Sequence, residues 1–293
     1  MLDVIKNRRI WFTFSGTLIV IAIAALCFNS FVRGKAMNLG IDFTGGTLIN
    51  LRFERPVSIG EVRGVLDEFK LGESVIQKSG ETDILIRTVP IEGETRAQIM
   101  SDLNSKVATS EILEADVIGP SIGKELATQA LWALLIATAL ITLYVSFRFE
   151  FKYAVSAILA LYHDAIITTG MIALFWRTID APFIAAILTI MGYSICDTIV
   201  IYDRIRENLK KPAYAKKKFS EVVNISIWET IARSINTVLT VIIMVILLLF
   251  LGGETLRVFS LTLLIGFGFG AYSSIFIAPP LLVMWEARDK KKK

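Results

Sequence analysis

Asp197 is a carboxylic acid inside a stretch of sequence that otherwise suits a membrane span. An ionised side chain in lipid costs at least about 3 kcal/mol on insertion scales, so it usually has a partner or a function. Tyr193 and Ser194 lie one helical turn before it, and the charged run 203–207 follows it. This arrangement indicates ion or proton handling. The alternative is a neutral Asp197 that is hydrogen-bonded to a neighbouring helix.

A polar stripe enters the next apolar run from its predicted cytoplasmic end. Its four members, at helical spacing i, i+3, i+4 and i+7, are Arg233, Asn236, Thr237 and Thr240. Arg233 lies toward the same membrane face as Asp197, which makes it the natural counter-ion for that acid. The alternative is that Arg233 extends along the helix to the lipid headgroups.

A second polar face is predicted within residues 153–175. Its residues recur every four positions, and they are Ser156, Ala160, Asp164 and Thr168, with His163 beside Asp164. Because the polar side of a spanning helix turns away from lipid, this face should point into a bundle of helices. The pattern fits either a supporting part of a proton path or a hydrogen-bonded seam between helices.

The composition indicates an integral membrane protein. The 293 residues are 54% hydrophobic, and the mean hydropathy is +0.61. The two cysteines, Cys27 and Cys196, fall in apolar runs without metal-site spacing, and there is a single histidine, so we expect no metal and no cofactor. The basic residues, at a net charge of +4, do not alternate with stacking aromatics, which argues against nucleic-acid binding.

Six segments are long and apolar enough to cross a bilayer: about 10–28, 127–146, 153–175, 181–202, 234–251 and 256–284. Lys and Arg cluster before the first span, after every second span and at the chain end. Since cytoplasmic loops carry an excess of these residues, both termini are predicted to be cytoplasmic. Residues 219–232 are predicted to form an amphipathic surface helix that leads into the fifth span.

The long segment after the first span is predicted to be a small folded domain outside the membrane. Strands are expected at 47–54, 74–78, 82–89 and 112–118, with helices at 58–70 and 93–108; Ser58 and Glu61 form a capping box at the start of the first helix. This β-α-β-β-α-β order predicts an α+β ferredoxin-like fold. The domain holds no Ser/His/Asp set and no phosphate loop, so we expect binding or movement against a partner and no enzymatic activity.

The predicted organisation is therefore an α-helical polytopic membrane protein with one extracytoplasmic domain. Residues 1–29 comprise the N-terminus and the first transmembrane helix, and residues 30–125 the extracytoplasmic domain. Residues 126–293 hold the other five transmembrane helices, a basic cytoplasmic loop at 203–233 and a C-terminal tail.

Several short motifs occur in an order that is similar to one known family. They are Ile41-Asp42-Phe43-Thr44-Gly45-Gly46, residues 192–198, residues 203–208, residues 233–237, Gly252-Gly253-Glu254 and residues 272–278. Together they resemble the SecD/SecF family of protein-export membrane proteins in the RND superfamily, and in particular its half with the smaller exported domain.

The resemblance implies a six-helix RND-type half in the cytoplasmic (inner) membrane of a bacterium or archaeon. It implies a role in the Sec pathway, in which the proton gradient is used together with SecD to promote the export of preproteins. The implied partners are SecD, the SecYEG translocon, YajC, the unfolded preprotein, protons and the lipid bilayer.

The resemblance also assigns residues. Asp197 and Arg233 match members of a proton relay, and Asp42, Gly45 and Gly46 match the motif that follows the first span. The candidate supporting polar residues are Asp164, His163, Ser194, Asn236 and Thr237. The chain departs from the family pattern at Cys196, where an Asn usually precedes the relay acid; the amide it lacks is both a hydrogen-bond donor and an acceptor.

Three other functions remain open at this point. The chain fits half of another proton-driven RND-type exporter, and it fits a passive scaffold of the translocon. An intramembrane aspartyl protease would need two facing acids, for which Asp164 and Asp197 are the candidates, but the Gly-x-Gly-Asp motif of such enzymes is absent.

Overall fold

The computed structural model describes residues 3–253 and 256–289, which form two compact units. Residues 39–132 are one unit, and the described residues up to 38 together with those from 133 onward are the other. Glu254 of the 252–254 motif and the basic run 290–293 of the predicted tail lie outside the described residues.

The first half of the chain contains one long helix and then a mixed α/β segment. In chain order the elements are α1 (Arg8–Arg33), β1 (Asn38–Leu39), α2 (Ile41–Thr44), β2 (Gly46–Phe53), α3 (Ile59–Glu68), β3 (Val75–Lys78), β4 (Asp83–Thr88), α4 (Gly93–Lys106) and β5 (Ser110–Ile118).

The second half is almost entirely helical. Its elements are α5 (Pro120–Arg148), α6 (Phe151–Leu174), β6 (Thr178–Ile179), α7 (Ala181–Leu209), a 3₁₀ turn (Pro212–Tyr214), α8 (Phe219–Leu251), α9 (Arg257–Phe276) and α10 (Ala278–Asp289). The break between α9 and α10 comes just before Pro279 and Pro280, because proline cannot donate the backbone hydrogen bonds that a continuous helix needs.

Six helices in the described residues are long and apolar enough to cross a membrane, which confirms the six predicted spans. They are α1, α5, α6, α7, α8 and the pair α9–α10 over residues 257–288. The predicted helix at 219–232 is present as the first part of α8, which continues without interruption into the fifth apolar run. Its Val222, Val223 and Ile227 are buried, and the last two belong to the helical core, so packing holds the segment in line with the span.

The unit 39–132 is built on a four-stranded antiparallel sheet with the strand order β3-β4-β2-β5. Ile49, Leu51 and Phe53 alternate along β2 and pack with α3 and α4 residues such as Val62 and Leu103 into one core. The predicted capping box is confirmed, since Ser58 Oγ accepts from the Glu61 amide and the Glu61 carboxylate accepts from the Ser58 amide.

The other unit, made of the described residues up to 38 and from 133 onward, is the helical unit. It packs around α6, α7 and α9, which hold most of its buried side chains. Small residues permit this closeness: a Cβ on Gly266 of α9 would overlap the Ile190 side chain of α7. The polar face predicted on α6 does point inward, since Ser156, Asp164 and Thr168 are all buried. By contrast, α5 exposes most of its apolar side chains, as expected of a lipid-facing surface.

Candidate functional site

The Asp197 carboxyl lies between α7 and α8 and is only 8% exposed. Ser234 Oγ of α8 donates a 2.6 Å hydrogen bond to Asp197 Oδ1. The other oxygen, Oδ2, is buried and has no hydrogen-bond partner among the described residues. A buried acid with one satisfied and one unsatisfied oxygen is suited to carry a proton on the unsatisfied one, because an isolated carboxylate in such surroundings is costly.

Arg233 directly precedes Ser234 but occupies a different face of α8, where its side chain is exposed. Within residues 3–253 and 256–289, no ion pair of 4 Å or less joins Arg233 and Asp197. Successive helical residues are rotated by about 100°, so Ser234 and not Arg233 faces the acid. The role of Arg233 as a relay partner stays a prediction.

The other members of the α8 stripe share the face of Arg233. Asn236, Thr237 and Thr240 are all exposed. The Thr237 hydroxyl donates to the Arg233 carbonyl at 2.9 Å, and the Thr240 hydroxyl donates to the Thr237 carbonyl at 2.8 Å. The predicted stripe is therefore real, but it lies on the outside of this chain and not in its helical core.

A second stripe on α8, which sequence reasoning missed, faces inward. Ser226, Thr230 and Ser234 are buried and recur every four residues. Ser226 Oγ accepts a 3.0 Å hydrogen bond from the Asn208 amide of α7, one contact of several between these helices. The four-residue spacing was a signal that could have found this stripe, because it places all three residues on one helical face.

Asp164 and His163 lie at the centre of the helical unit. Asp164 is fully buried, and its Oδ2 accepts hydrogen bonds from Ser194 Oγ of α7 at 2.6 Å and Ser273 Oγ of α9 at 2.7 Å. Its Oδ1 lies 2.9 Å from His163 Nδ1, and His163 Nε2 lies 3.0 Å from Ser15 Oγ of α1. Sequence reasoning found three of these residues and did not single out Ser15 or Ser273, although Ser273 belongs to the family motif at 272–278.

The two buried acids do not form a facing pair. Asp164 takes its hydroxyl partners from α7 and α9, whereas Asp197 takes its partner from α8. Ser194 and Asp197 are three residues apart on α7. Ser194 donates a hydrogen bond to Asp164 on α6, whereas Asp197 accepts one from Ser234 on α8. In the described part of the chain no group of three or more His, Cys, Asp or Glu residues converges as a metal site.

The end of α7 that follows Asp197 carries a network of charged groups. Arg148 of α5 contacts Asp203 at 3.0 Å, and Arg204 contacts Glu229 of α8 at 2.6 Å. The Asn208 amide donates to the same Glu229 carboxylate at 2.6 Å. These contacts join α5, α7 and α8 at one end of the helices. Cys196 is exposed on the surface of α7.

Gly45 and Gly46 lie where backbone segments of the unit 39–132 approach each other too closely for a side chain. Gly45 has φ +71° and Gly46 has φ +140°, which side-chain-bearing residues rarely adopt. A Cβ on Gly45 would lie 2.8 Å from Pro120 Cα at the start of α5, and one on Gly46 would lie 2.5 Å from the Thr88 carbonyl oxygen of β4. Asp42, in the first turn of α2, is partly buried beside them. The motif therefore serves close backbone packing.

Two family models match this chain. The model described as protein export membrane protein SecD/SecF, C-terminal, matches residues 98–288, and the SecD/SecF GG motif model matches residues 34–57. The second match contains Asp42, Gly45 and Gly46, and the first contains both buried acids.

Full-length relatives carry related names. The chain is 41% identical to the protein translocase subunit SecF of Sebaldella termitidis over 297 residues, which covers 100% of this chain and 94% of the relative. It is 40% identical to the SecF subunit of Desulfurispirillum indicum over 279 residues, which covers 92% of this chain and 88% of that one.

A solved structure has the same fold. The crystal structure of SecDF, a translocon-associated membrane protein from Thermus thermophilus, superposes with a TM-score of 0.86 at 37% sequence identity. The match covers 98% of this chain and 39% of that chain, so the present sequence spans well under half of the longer protein.

Proposed function

Because the chain belongs to the SecD/SecF family of protein-export membrane proteins, as its motifs predicted, we propose that it is an accessory subunit of the Sec machinery. In this proposal it uses the proton gradient together with SecD to promote the export of preproteins. It is a multi-pass membrane protein that works by conformational change and catalyses no covalent reaction.

The proposed topology places both termini and the charged end of α7 in the cytoplasm. The distribution of Lys and Arg supports it, since Arg204, Arg206 and the lysines of 210–218 all follow Asp197 on that side. The unit 39–132 then lies outside the cytoplasmic (inner) membrane of a bacterium or archaeon. We propose that this unit is ferredoxin-like, which its β-α-β-β-α-β order and its β3-β4-β2-β5 sheet support.

One observation carries the proposal of proton use, namely the buried Asp197 carboxyl with its unpartnered Oδ2 among the described residues. Such a group can be neutral in one conformation and ionised in another, in which a cation or a hydrogen-bond donor approaches it. A proton that moves inward through 100 mV releases about 2.3 kcal/mol. That energy is useful only if the two protonation states favour different conformations of the helices.

The exposed stripe on α8 supports a partner within the membrane. A cationic side chain such as Arg233 on a lipid-facing surface is costly, and a polar surface of a second membrane subunit would remove that cost. The natural occupant is SecD, because the SecDF relative from Thermus thermophilus joins both names in one chain. In the assembled pair, Arg233 and Asp197 act as the relay, with Asn236 and Thr237 in support. SecYEG, YajC and the preprotein complete the proposed partners.

The alternative of another proton-driven RND-type exporter is less well supported, because the relatives named above are translocase subunits over nearly their full length. A passive scaffold would need the same helices but no ionisable Asp197. Asp197 is therefore the residue at which the motor and scaffold hypotheses differ.

The test is secretion of a reporter preprotein in cells that carry only the Asp197→Asn form. Asparagine keeps the shape of the side chain but cannot ionise, so secretion should fall to the level of cells that lack this protein. Cys196→Ser, a neighbouring exposed position, is the matched control and should secrete normally. Membrane levels of the protein and of SecD are measured in every strain.

Inverted membrane vesicles separate energy coupling from scaffolding. With the wild type, a proton gradient should accelerate the completion of translocation, and with Asp197→Asn it should not. Normal secretion and normal acceleration with Asp197→Asn would refute the relay and leave the scaffold hypothesis.

A further inference from the structure

His163 and Asp164 connect four helices through a continuous set of hydrogen bonds. Asp164 binds Ser194 on α7 and Ser273 on α9, as described above, and His163 binds Ser15 on α1. All of these polar side chains are at most 5% exposed. This network shares no hydrogen bond with Ser234 or Asp197 in the described residues, so it is distinct from the proposed relay.

The network determines which nitrogen of His163 carries a proton. The Tyr272 hydroxyl donates to the Trp11 carbonyl at 2.9 Å, and a carbonyl can only accept. The Tyr272 oxygen therefore accepts at its 3.2 Å contact with Ser15, whose single hydroxyl proton is used there. Ser15 Oγ must then accept at its contact with His163, so His163 Nε2 carries a hydrogen.

The contact between His163 Nδ1 and Asp164 Oδ1 then holds one proton. If Asp164 keeps it, both groups are neutral; if His163 takes it, the pair is an imidazolium and a carboxylate. Ser194 and Ser273 both donate to Asp164 Oδ2, which favours the charged form of that acid. Full burial favours the neutral form of the pair. Because these two effects oppose each other, the proton can move between His163 Nδ1 and Asp164 Oδ1.

Other titratable groups surround this pair. The Tyr272 ring of α9 lies 6.2 Å from the His163 ring, and Tyr193 and Asp197 are on the α7 helix that supplies Ser194. The ion pair of Lys152 with Glu286 of α10 is at the far end of α6, about 18 Å away along the helix axis. The nearest ionisable partner of His163 is therefore Asp164.

We propose that His163 and Asp164 form a second proton site of the helical unit, which holds one shared proton and binds α6 to α1, α7 and α9 in a manner that depends on protonation. A second proton, placed on Asp164 Oδ2, would turn one of the two incoming serine hydrogen bonds into an outgoing one. This change alters the contacts of α6 with α7 and α9. The use of the site in export rests on the proposed function; its proton content does not.

The single histidine of the chain allows a direct test. Full-length protein with a histidine-free affinity tag and ¹⁵N-labelled histidine is reconstituted in lipid, so that every side-chain imidazole signal comes from His163. We expect a protonated Nε2, and an Nδ1 signal between those of protonated and unprotonated ring nitrogens. In Asp164→Asn the Nδ1 signal should move to one of these two limits.

An unprotonated Nε2, or identical Nδ1 signals in wild type and Asp164→Asn, would overturn the proposal. Ser273→Ala provides a second variant that keeps both members of the pair and should shift the Nδ1 signal in case Asp164→Asn does not fold. Asp197→Asn should leave the spectrum unchanged, which separates this site from the relay.

The role in export is tested with His163→Gln, which can hydrogen-bond but cannot gain a proton. We expect gradient-dependent translocation in vesicles to fall by about tenfold, the effect of roughly 1.4 kcal/mol on a barrier, with gradient-independent translocation preserved. Unchanged gradient dependence in His163→Gln would refute the use of the site in coupling. If even Asp197→Asn retained gradient dependence, the proposed function and not the second proton site would have failed.

Discussion

Ser234 on α8 and Asp197 on α7 are joined by a 2.6 Å hydrogen bond, and this contact directly connects the buried acid to the fifth membrane span. Arg233, the adjacent residue, is exposed on another face of α8. One helical turn thus presents a hydroxyl to the acid inside this chain and a cation to whatever lies outside it. A rotation of α8 would exchange these two groups near Asp197, which is a simple way to alternate between its neutral and ionised forms.

Replacement of Ser234 by alanine should remove the hydrogen bond that Asp197 Oδ1 accepts and so impair the proposed proton relay. A hydrogen bond to an uncharged carboxyl contributes about 0.5–1.5 kcal/mol, so we expect gradient-dependent translocation to fall several-fold without loss of the folded protein. The carboxyl stretching band of Asp197, identified by its absence in Asp197→Asn, should move to higher wavenumber in infrared difference spectra.

Thr189→Val is the matched control for this measurement. Thr189 is exposed on the same α7 helix as Asp197. Its hydroxyl donates a 2.8 Å hydrogen bond to the Ala185 carbonyl of its own helix. An equal band shift in Thr189→Val would show that the infrared change does not report the Ser234 contact.

Alanine at Gly45 or Gly46 should destabilise the unit 39–132. A positive φ costs a residue with a side chain roughly 1–2 kcal/mol, and the new Cβ would in addition press on Pro120 or on the Thr88 carbonyl. We expect faster hydrogen exchange in β2 and in the first turn of α5, measured by mass spectrometry on the full chain.

Gly64→Ala is the control for the Gly45 and Gly46 variants. Gly64 lies inside α3, and a Cβ added to it would meet no other atom within 4 Å, so alanine should slow local exchange through a gain of about 0.5–1 kcal/mol. Equal protection in Gly45→Ala and wild type would contradict the steric role of the motif.

Gly170→Ala should disrupt the packing of α1 on α6. A Cβ at this position would overlap the Ala22 side chain and lie 2.6 Å from Ala22 Cα, so the backbones themselves would have to separate. We expect a lower melting temperature in detergent and a His163 to Ser15 contact weakened by the same separation. Gly268→Ala, on α9 with open space around it, should melt like the wild type.

Acid should loosen the sheet of the unit 39–132 at the pair of Arg52 and Asp83. The Arg52 guanidinium donates two hydrogen bonds of 2.9 Å to Asp83, which holds the pKa of that carboxyl below its ordinary value of 3.8. A lowered folded-state pKa means that this contribution is complete above about pH 4 and is lost as the pH falls through the folded-state value.

Hydrogen exchange of the β4 amides across this acidic range checks the prediction. Protection should decrease on acidification in the wild type and should depend less on pH in Asp83→Asn, which has lost the titrating group. The same pH dependence in both proteins would assign the acid sensitivity to other carboxyls.

The sequence by itself determined the features that depend on local patterns. Six apolar runs predicted six spans because length and hydropathy alone decide whether a helix can cross lipid. The Ser58–Glu61 capping box was readable because its two partners are three residues apart. The four-residue spacing of Ser156, Ala160, Asp164 and Thr168 predicted a buried face on α6, and the motifs from Ile41 onward predicted the family.

The tertiary structure decided which distant residues meet. The sequence of α8 carries two polar stripes, one with Arg233 and one with Ser234, and the rotation of α8 against α7 decides that Ser234 is the neighbour of Asp197. Ser15 and Ser273 lie in apolar helices far apart in the sequence, and they become part of the Asp164 network only because α1 and α9 pack on α6. Residues 219–232 are amphipathic in sequence, and the tertiary structure shows what their apolar face contacts, because Val223 and Ile227 pack into the core of the helices. Local spacing identifies which faces are polar, and only helix packing determines which partners those faces find.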